Sequence, residues 1–77
     1  MSKIVDERLR VAKIILGHLL EGPRRWTELE KLTTRISPTY ARFQSTLGWL
    51  LRKGYVMRLE RGLYSITDKG EVFLEAI

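Results

Sequence analysis

The 77-residue chain contains no cysteine and a single histidine. Without thiols it can form neither disulfides nor thiolate metal sites, which fits an intracellular compartment. His18 has no second histidine or cysteine with which to share a metal ion, so we expect no metal and no cofactor. The sequence also lacks a phosphate-binding glycine loop, a nucleophile elbow and paired catalytic carboxylates. It therefore predicts a protein that is not an enzyme.

Long apolar runs are missing as well. The longest, Ile14 to Leu20, is interrupted by Gly17 and His18 and is too short to span a bilayer. The N-terminus does not have the layout of a signal peptide. We therefore expect a cytoplasmic protein without a membrane partner. Residues 1–77 should form one domain, because this length leaves no room for a second core.

Acidic residues are scarce in the middle of the chain. Residues 31–61 contain seven Lys or Arg against Glu60 alone, a net charge of +6, whereas residues 1–30 carry +1 and residues 62–77 carry −2. A merely soluble basic protein would spread its overall charge of +5 evenly. The concentration of positive charge favours a polyanionic partner.

Hydrophobic periodicity and turn residues predict a mainly α chain with a small β-hairpin, in the order helix, helix, helix, hairpin, helix. Thr27 and Glu30 form a Thr-x-x-Glu capping box for the second helix, and Gly54 ends the third. Thr67 and Asp68 should cap the last helix, and Arg25-Trp26 can add a short third strand. The predicted elements are helices at Val5–Leu20, Glu28–Thr34, from the Ser37-Pro38 cap to Lys53 and at Lys69–Ala76, with strands at Tyr55–Leu59 and Leu63–Ile66.

The third helix is amphipathic, and its polar face contains no acidic residue. Small hydroxyls and cations without carboxylates suit a helix that lies in a DNA groove. The apolar face is formed by Tyr40, Phe43, Leu47, Leu50 and Leu51. The residues that we predict to contact DNA from this helix are Ser37, Thr39, Arg42, Ser45, Thr46, Trp49 and Lys53.

Three segments carry a resemblance to a known family. They are Gly22-Pro23 with Trp26-Thr-Glu-Leu29, Leu47 to Val56, and Tyr64-x-Ile-Thr-x-Lys-Gly70 followed by Phe73-Leu74-Glu75. Over residues 11–77 the chain resembles the small archaeal winged helix-turn-helix transcriptional regulators, including forms encoded by plasmids and viruses. The resemblance implies binding of double-stranded DNA, usually as a homodimer, with the third helix in the major groove and the hairpin, or wing, on the adjacent backbone or minor groove.

Cations on the wing and its flanks should meet phosphates. These are Arg52, Arg58, Arg61, Arg24 and Arg25. Arg42 is the strongest candidate for a base contact, since an arginine can donate two hydrogen bonds at once to the edge of a guanine. We consider three roles for Trp49: contact with sugar-phosphate, packing beside the wing, or a dimer contact.

Apolar residues beyond the core face of the terminal helices predict a homodimer. Its candidate contacts are Val11, Ile14, Ile15, Phe73 and Ile77. The leading functional hypothesis is a sequence-specific, nucleoid-associated DNA-binding regulator. Two alternatives stay open: a winged-helix adaptor for protein–protein contact, and a chromatin protein that coats DNA without sequence preference.

Overall fold

A computed structural model describes residues 3–36 and 40–77 of the chain. These residues form helices and a small antiparallel sheet. The elements of the described part are α1 (Lys3–Leu20), β1 (Arg24–Arg25), α2 (Trp26–Ile36), α3 (Tyr40–Lys53), β2 (Val56–Glu60), β3 (Leu63–Ile66) and α4 (Asp68–Ala76). The predicted order of helices and hairpin is confirmed. The predicted cap at Ser37-Pro38 lies outside the described residues.

The core lies between α1, α2, α3 and the hairpin. Side chains from all of them are almost fully buried: Val11, Ala12, Ile15, Leu16, Leu19, Leu29, Phe43, Leu47, Leu50, Val56 and Tyr64. The prediction that Val11 and Ile15 form a dimer interface is wrong, because both are at most 1% exposed within their own chain. The α1 helix is apolar over a wide arc since it packs against three other helices and β3 at once.

The start of α2 also differs from prediction. The helix begins at Trp26, so Thr27 lies inside its first turn and is not the N-cap. The reason is a long-range contact: the Trp26 backbone N–H donates to the Gly62 carbonyl at 2.8 Å, and β1 leads directly into the helix. A local capping signal could not anticipate that bond.

The sheet has the strand order β1-β3-β2, with both pairs antiparallel. The third strand is Arg24–Arg25, one residue earlier than predicted, and pairs with Tyr64 and Leu63. The register of β2 against β3 shifts between Arg58 and Glu60. At the tip of the wing, Gly62 has a φ of 75°, which glycine adopts without steric cost.

The segment from Tyr64 to Gly70 fastens the wing and α4 to the end of α3. The Thr67 hydroxyl donates to the Gly54 carbonyl at 2.7 Å and accepts the Gly70 backbone N–H at 3.0 Å, so the predicted N-cap is confirmed. Lys69 Nζ donates to the Lys53 carbonyl at 2.9 Å. A Cβ on Gly70 would come within van der Waals overlap of the Tyr55 carbonyl oxygen, so only glycine fits there. The segment from Tyr64 to Gly70 therefore has a structural role.

Helices α2 and α3 are consecutive and packed together, and the antiparallel hairpin follows α3 directly. With α1 behind them and the sheet at the side, this is the winged helix-turn-helix arrangement.

Candidate nucleic-acid interface

The solvent-facing surface of α3 is a stripe of small and polar side chains. It consists of Ala41, Gln44, Ser45, Gly48 and Arg52, which recur at helical spacing. The core side chains of this helix lie on the opposite side. Ala41, Ser45 and Gly48 let the helix approach a groove closely, while Gln44 and Arg52 bring hydrogen-bond donors. Such a surface can read base edges. We call these five residues the α3 stripe.

The α3 stripe is rotated about the helix axis by about 100° from the face that we predicted to contact DNA. This rotation corresponds to a shift of one residue along the helix. The prediction centred on Arg42, Thr46 and Trp49, whereas the exposed surface runs past Ser45 toward Arg52. Ser45 is exposed as predicted, and Lys53 is exposed at the end of the helix. The predicted contacts Ser37 and Thr39 lie outside the described residues.

The prediction that Thr46 contacts DNA is wrong, because its side chain is completely buried. Thr33 of α2 is equally buried, and neither hydroxyl has a hydrogen-bond partner in the described part of the chain. Threonine carries a methyl group as well as a hydroxyl, so the sequence alone could not decide which side of the helix it would take.

Arg42 is half-exposed at the edge of the α3 stripe and forms an ion pair. Its Nη1 lies 2.6 Å from Oε2 of Glu7 on α1. Sequence reasoning missed this contact because the two residues are far apart along the chain. The polar side of α3 therefore has a carboxylate beside it after all, supplied by another helix.

Trp49 belongs to an aromatic cluster. Its ring centroid is 5.9 Å from those of Tyr55 and Phe73, and the Tyr55 and Phe73 rings stack at 4.2 Å. The Arg8 guanidinium lies 5.7 Å from the Trp49 ring centre, at cation–π distance. Of the three roles considered for Trp49, the structure favours packing at the base of the wing: the ring joins α3 to the hairpin and α4.

The wing has exposed cations on β2 and at its tip. Arg61 is exposed at the tip, and Arg58 is exposed on β2 with its guanidinium 5.8 Å from the Tyr64 ring centre. Within residues 3–36 and 40–77, no ion pair involves Arg52, Lys53, Arg58 or Arg61. Their charge is therefore available to an external anion.

Arg24 and Arg25 differ from those wing cations. Arg24 bridges Glu21 and Glu28 at 2.7 and 2.5 Å. The hydrogen bond to Glu28 raises the pKa of the Arg24 guanidinium above its ordinary value. Arg25 pairs with Glu60 across the sheet at 3.0 Å. Both arginines have intramolecular counter-ions, which weakens the prediction that they bind phosphate.

Gln44, Gly48 and Ala41 are the stripe residues that the predicted site left out. A helical wheel centred on Arg52 would have found them, since they flank it on the same side. Lys31 and Arg35, both exposed on α2, are further cations near the helix-turn-helix that the predicted site did not include.

No three His, Cys, Asp or Glu side chains in residues 3–36 and 40–77 are grouped so that they could hold a metal ion. Over the same residues, no helix is both long enough and apolar enough to cross a membrane.

A solved structure matches this arrangement of helices and wing. It is a transcriptional regulator from Clostridium thermocellum, with a TM-score of 0.73 and 24% sequence identity over 99% of this chain and 82% of the regulator. The two chains share a fold. No protein-family model matches the chain, and no curated protein matches it in sequence. At this identity the likeness establishes the winged-helix architecture.

Proposed function

We propose that this protein binds double-stranded DNA sequence-specifically and regulates transcription. The α3 stripe would enter the major groove, and the wing would lie on the adjacent backbone. The observation that carries the proposal is the distribution of counter-ions. Four exposed cations at the end of α3 and on the wing have no ion-pair partner in the described structure: Arg52, Lys53, Arg58 and Arg61. Arg24, Arg25 and Arg42, by contrast, are paired with glutamates.

Affinity and specificity would come from different residues. Arg52, Lys53, Arg58 and Arg61 would neutralise phosphates and release counterions, which gives affinity for any duplex. Gln44 and Ser45 could donate to base edges, and Gln44 has the amide that pairs two ways with adenine. Arg42 remains a candidate for guanine.

The two alternative functions make different demands on this surface. An adaptor for protein–protein contact has no need of unpaired cations on both α3 and the wing. A non-specific DNA coat needs the cations but not a groove-facing stripe of small residues. The fold shared with a transcriptional regulator supports the regulatory reading. The proposed role is binding without catalysis, and an archaeal or mobile-element origin stays a prediction.

Fluorescence anisotropy with a labelled duplex, across a series of salt concentrations, tests the proposal. If each protomer neutralises ~4 phosphates, log K should fall with log salt at a slope of roughly −4 per protomer. Arg61→Gln should lower the magnitude of the slope by about 1. Lys13→Gln, which removes an exposed charge from α1, is the matched control and should leave it unchanged. No binding at low salt, or a flat slope, would rule out DNA as the partner.

A further inference from the structure

The ion pair between Glu7 and Arg42 places a carboxylate beside a surface that we propose for DNA. The two side chains are 34% and 36% exposed, so the ion pair lies at the protein surface. A negative charge there weakens attraction to a polyanion. The position of Glu7 therefore needs an explanation other than general affinity for DNA.

Stability alone is a weak explanation. The α1 and α3 helices are already joined through buried apolar side chains, among them Val11, Ile15, Phe43 and Leu50. An exposed ion pair adds only about 0–1 kcal/mol to such a contact. A function in which the carboxylate acts on the guanidinium explains its placement better.

The chemistry of the pair suggests that function. Glu7 contacts Nη1 of Arg42, and the guanidinium has five N–H donors in a fixed fork. Its other edge, formed by Nε and Nη2, can still donate two parallel hydrogen bonds. Because the carboxylate cancels most of the net charge of the pair, a phosphate is attracted only weakly. A guanine edge, which is uncharged and accepts two hydrogen bonds, is still recognised.

We infer that Glu7 is a positioning residue that directs Arg42 to a base edge and away from phosphate. The inference rests on the proposed function and deepens it by naming a specificity-determining residue on α1. Glu7 itself contacts no DNA in this account. It restricts the orientations of Arg42, so that the arginine contacts a base and contributes to sequence specificity.

The test compares Glu7→Gln with Glu75→Gln, which removes the same charge from an exposed position on α4. The preferred duplex comes from selection in a random pool, and a scrambled duplex of equal length is the reference. Glu7→Gln should bind the scrambled duplex more tightly, with a salt slope steeper by about 1 because Arg42 now neutralises a phosphate. The ratio of preferred to scrambled affinity should fall about fivefold or more. Glu75→Gln should leave the ratio unchanged.

A double-variant cycle separates this role from a structural one. In an Arg42→Gln background, Glu7→Gln should not lower the affinity ratio any further, because it acts through Arg42. If wild type discriminates between the duplexes and Glu7→Gln keeps the ratio, the inference is overturned while DNA binding stands. If wild type binds no duplex at low salt, the proposed function and the inference fall together.

Discussion

Two buried hydroxyl groups stand out among the individual residues. Thr33 and Thr46 are completely buried on the two helices of the helix-turn-helix, and their hydroxyls find no partner in the described part of the chain. Nearby Thr34 is different, since its hydroxyl donates to the Glu30 carbonyl at 2.7 Å. A buried hydroxyl without a partner has lost its hydrogen bonds to water and gained none.

Thr46→Val should therefore stabilise the protein. Valine keeps the shape of threonine and removes the unsatisfied hydroxyl, so the free energy of unfolding should rise by about 1 kcal/mol. Thr34→Val is the matched control and should not stabilise, because it breaks an existing hydrogen bond. Urea unfolding monitored by circular dichroism measures both changes. A loss of stability in Thr46→Val would indicate a partner for the hydroxyl, such as a buried water.

At the scale of elements, helix α3 contains Gly48 at a position where the fold has room for a side chain. A Cβ on Gly48 would meet only Nη1 of Arg52, at an ordinary contact distance of 3.5 Å. Glycine inside a helix costs about 1 kcal/mol relative to alanine. Gly48 lies in the middle of the α3 stripe, where the lack of a side chain would let the helix approach a DNA groove closely.

We expect Gly48→Ala to raise stability and to weaken DNA binding. The free energy of unfolding should increase by about 0.5–1 kcal/mol, while the added methyl group separates α3 from the groove. Gly17→Ala in α1 is the control, since a Cβ there has nothing within 4 Å. It should give a similar gain in stability with unchanged affinity for DNA. Equal DNA affinity of the two variants would mean that α3 does not enter the groove through this stripe.

The sequence predicted the elements better than the surfaces that they present. Periodicity was sufficient for α1, α3 and the hairpin, because each segment has a clear apolar pattern. The start of α2 was wrong because it depends on the bond from Trp26 to Gly62, and no local pattern records it. The polar face of α3 was misplaced by one position because Thr46 can face either way. The partner of Arg42 was missed since it comes from α1.

At the scale of the whole molecule, the apolar side chains that the terminal helices leave exposed favour an assembly of two chains. With Val11 and Ile15 buried in the core, the predicted dimer contacts that remain are the half-buried Ile14, Phe73 and Ile77. Val72 on α4 is 67% exposed and extends that apolar surface. Full burial of an exposed side chain such as Val72 would contribute about 1.5–3 kcal/mol, and a half-buried side chain would contribute less. We propose a homodimer formed through α4 and the adjoining part of α1.

Val72→Glu should shift the protein to a monomer in sedimentation equilibrium at micromolar concentration, because a carboxylate would be buried in the interface. Met57→Glu, which alters an exposed apolar residue on the wing, is the control and should leave the dimer intact. A dimer that Met57→Glu breaks and Val72→Glu preserves would place the interface on β2. A wild-type monomer would contradict the proposal.

If α3 contacts base edges while the wing contacts the backbone, the protein should prefer particular DNA sequences. Selection of bound sequences from a random duplex pool, at moderate salt, tests it most directly. We expect an enriched motif, with half-sites about one turn of DNA apart if the protein binds as a dimer. If the protein binds the duplexes but the starting pool is recovered unchanged, α3 does not recognise sequence, and the protein coats DNA non-specifically.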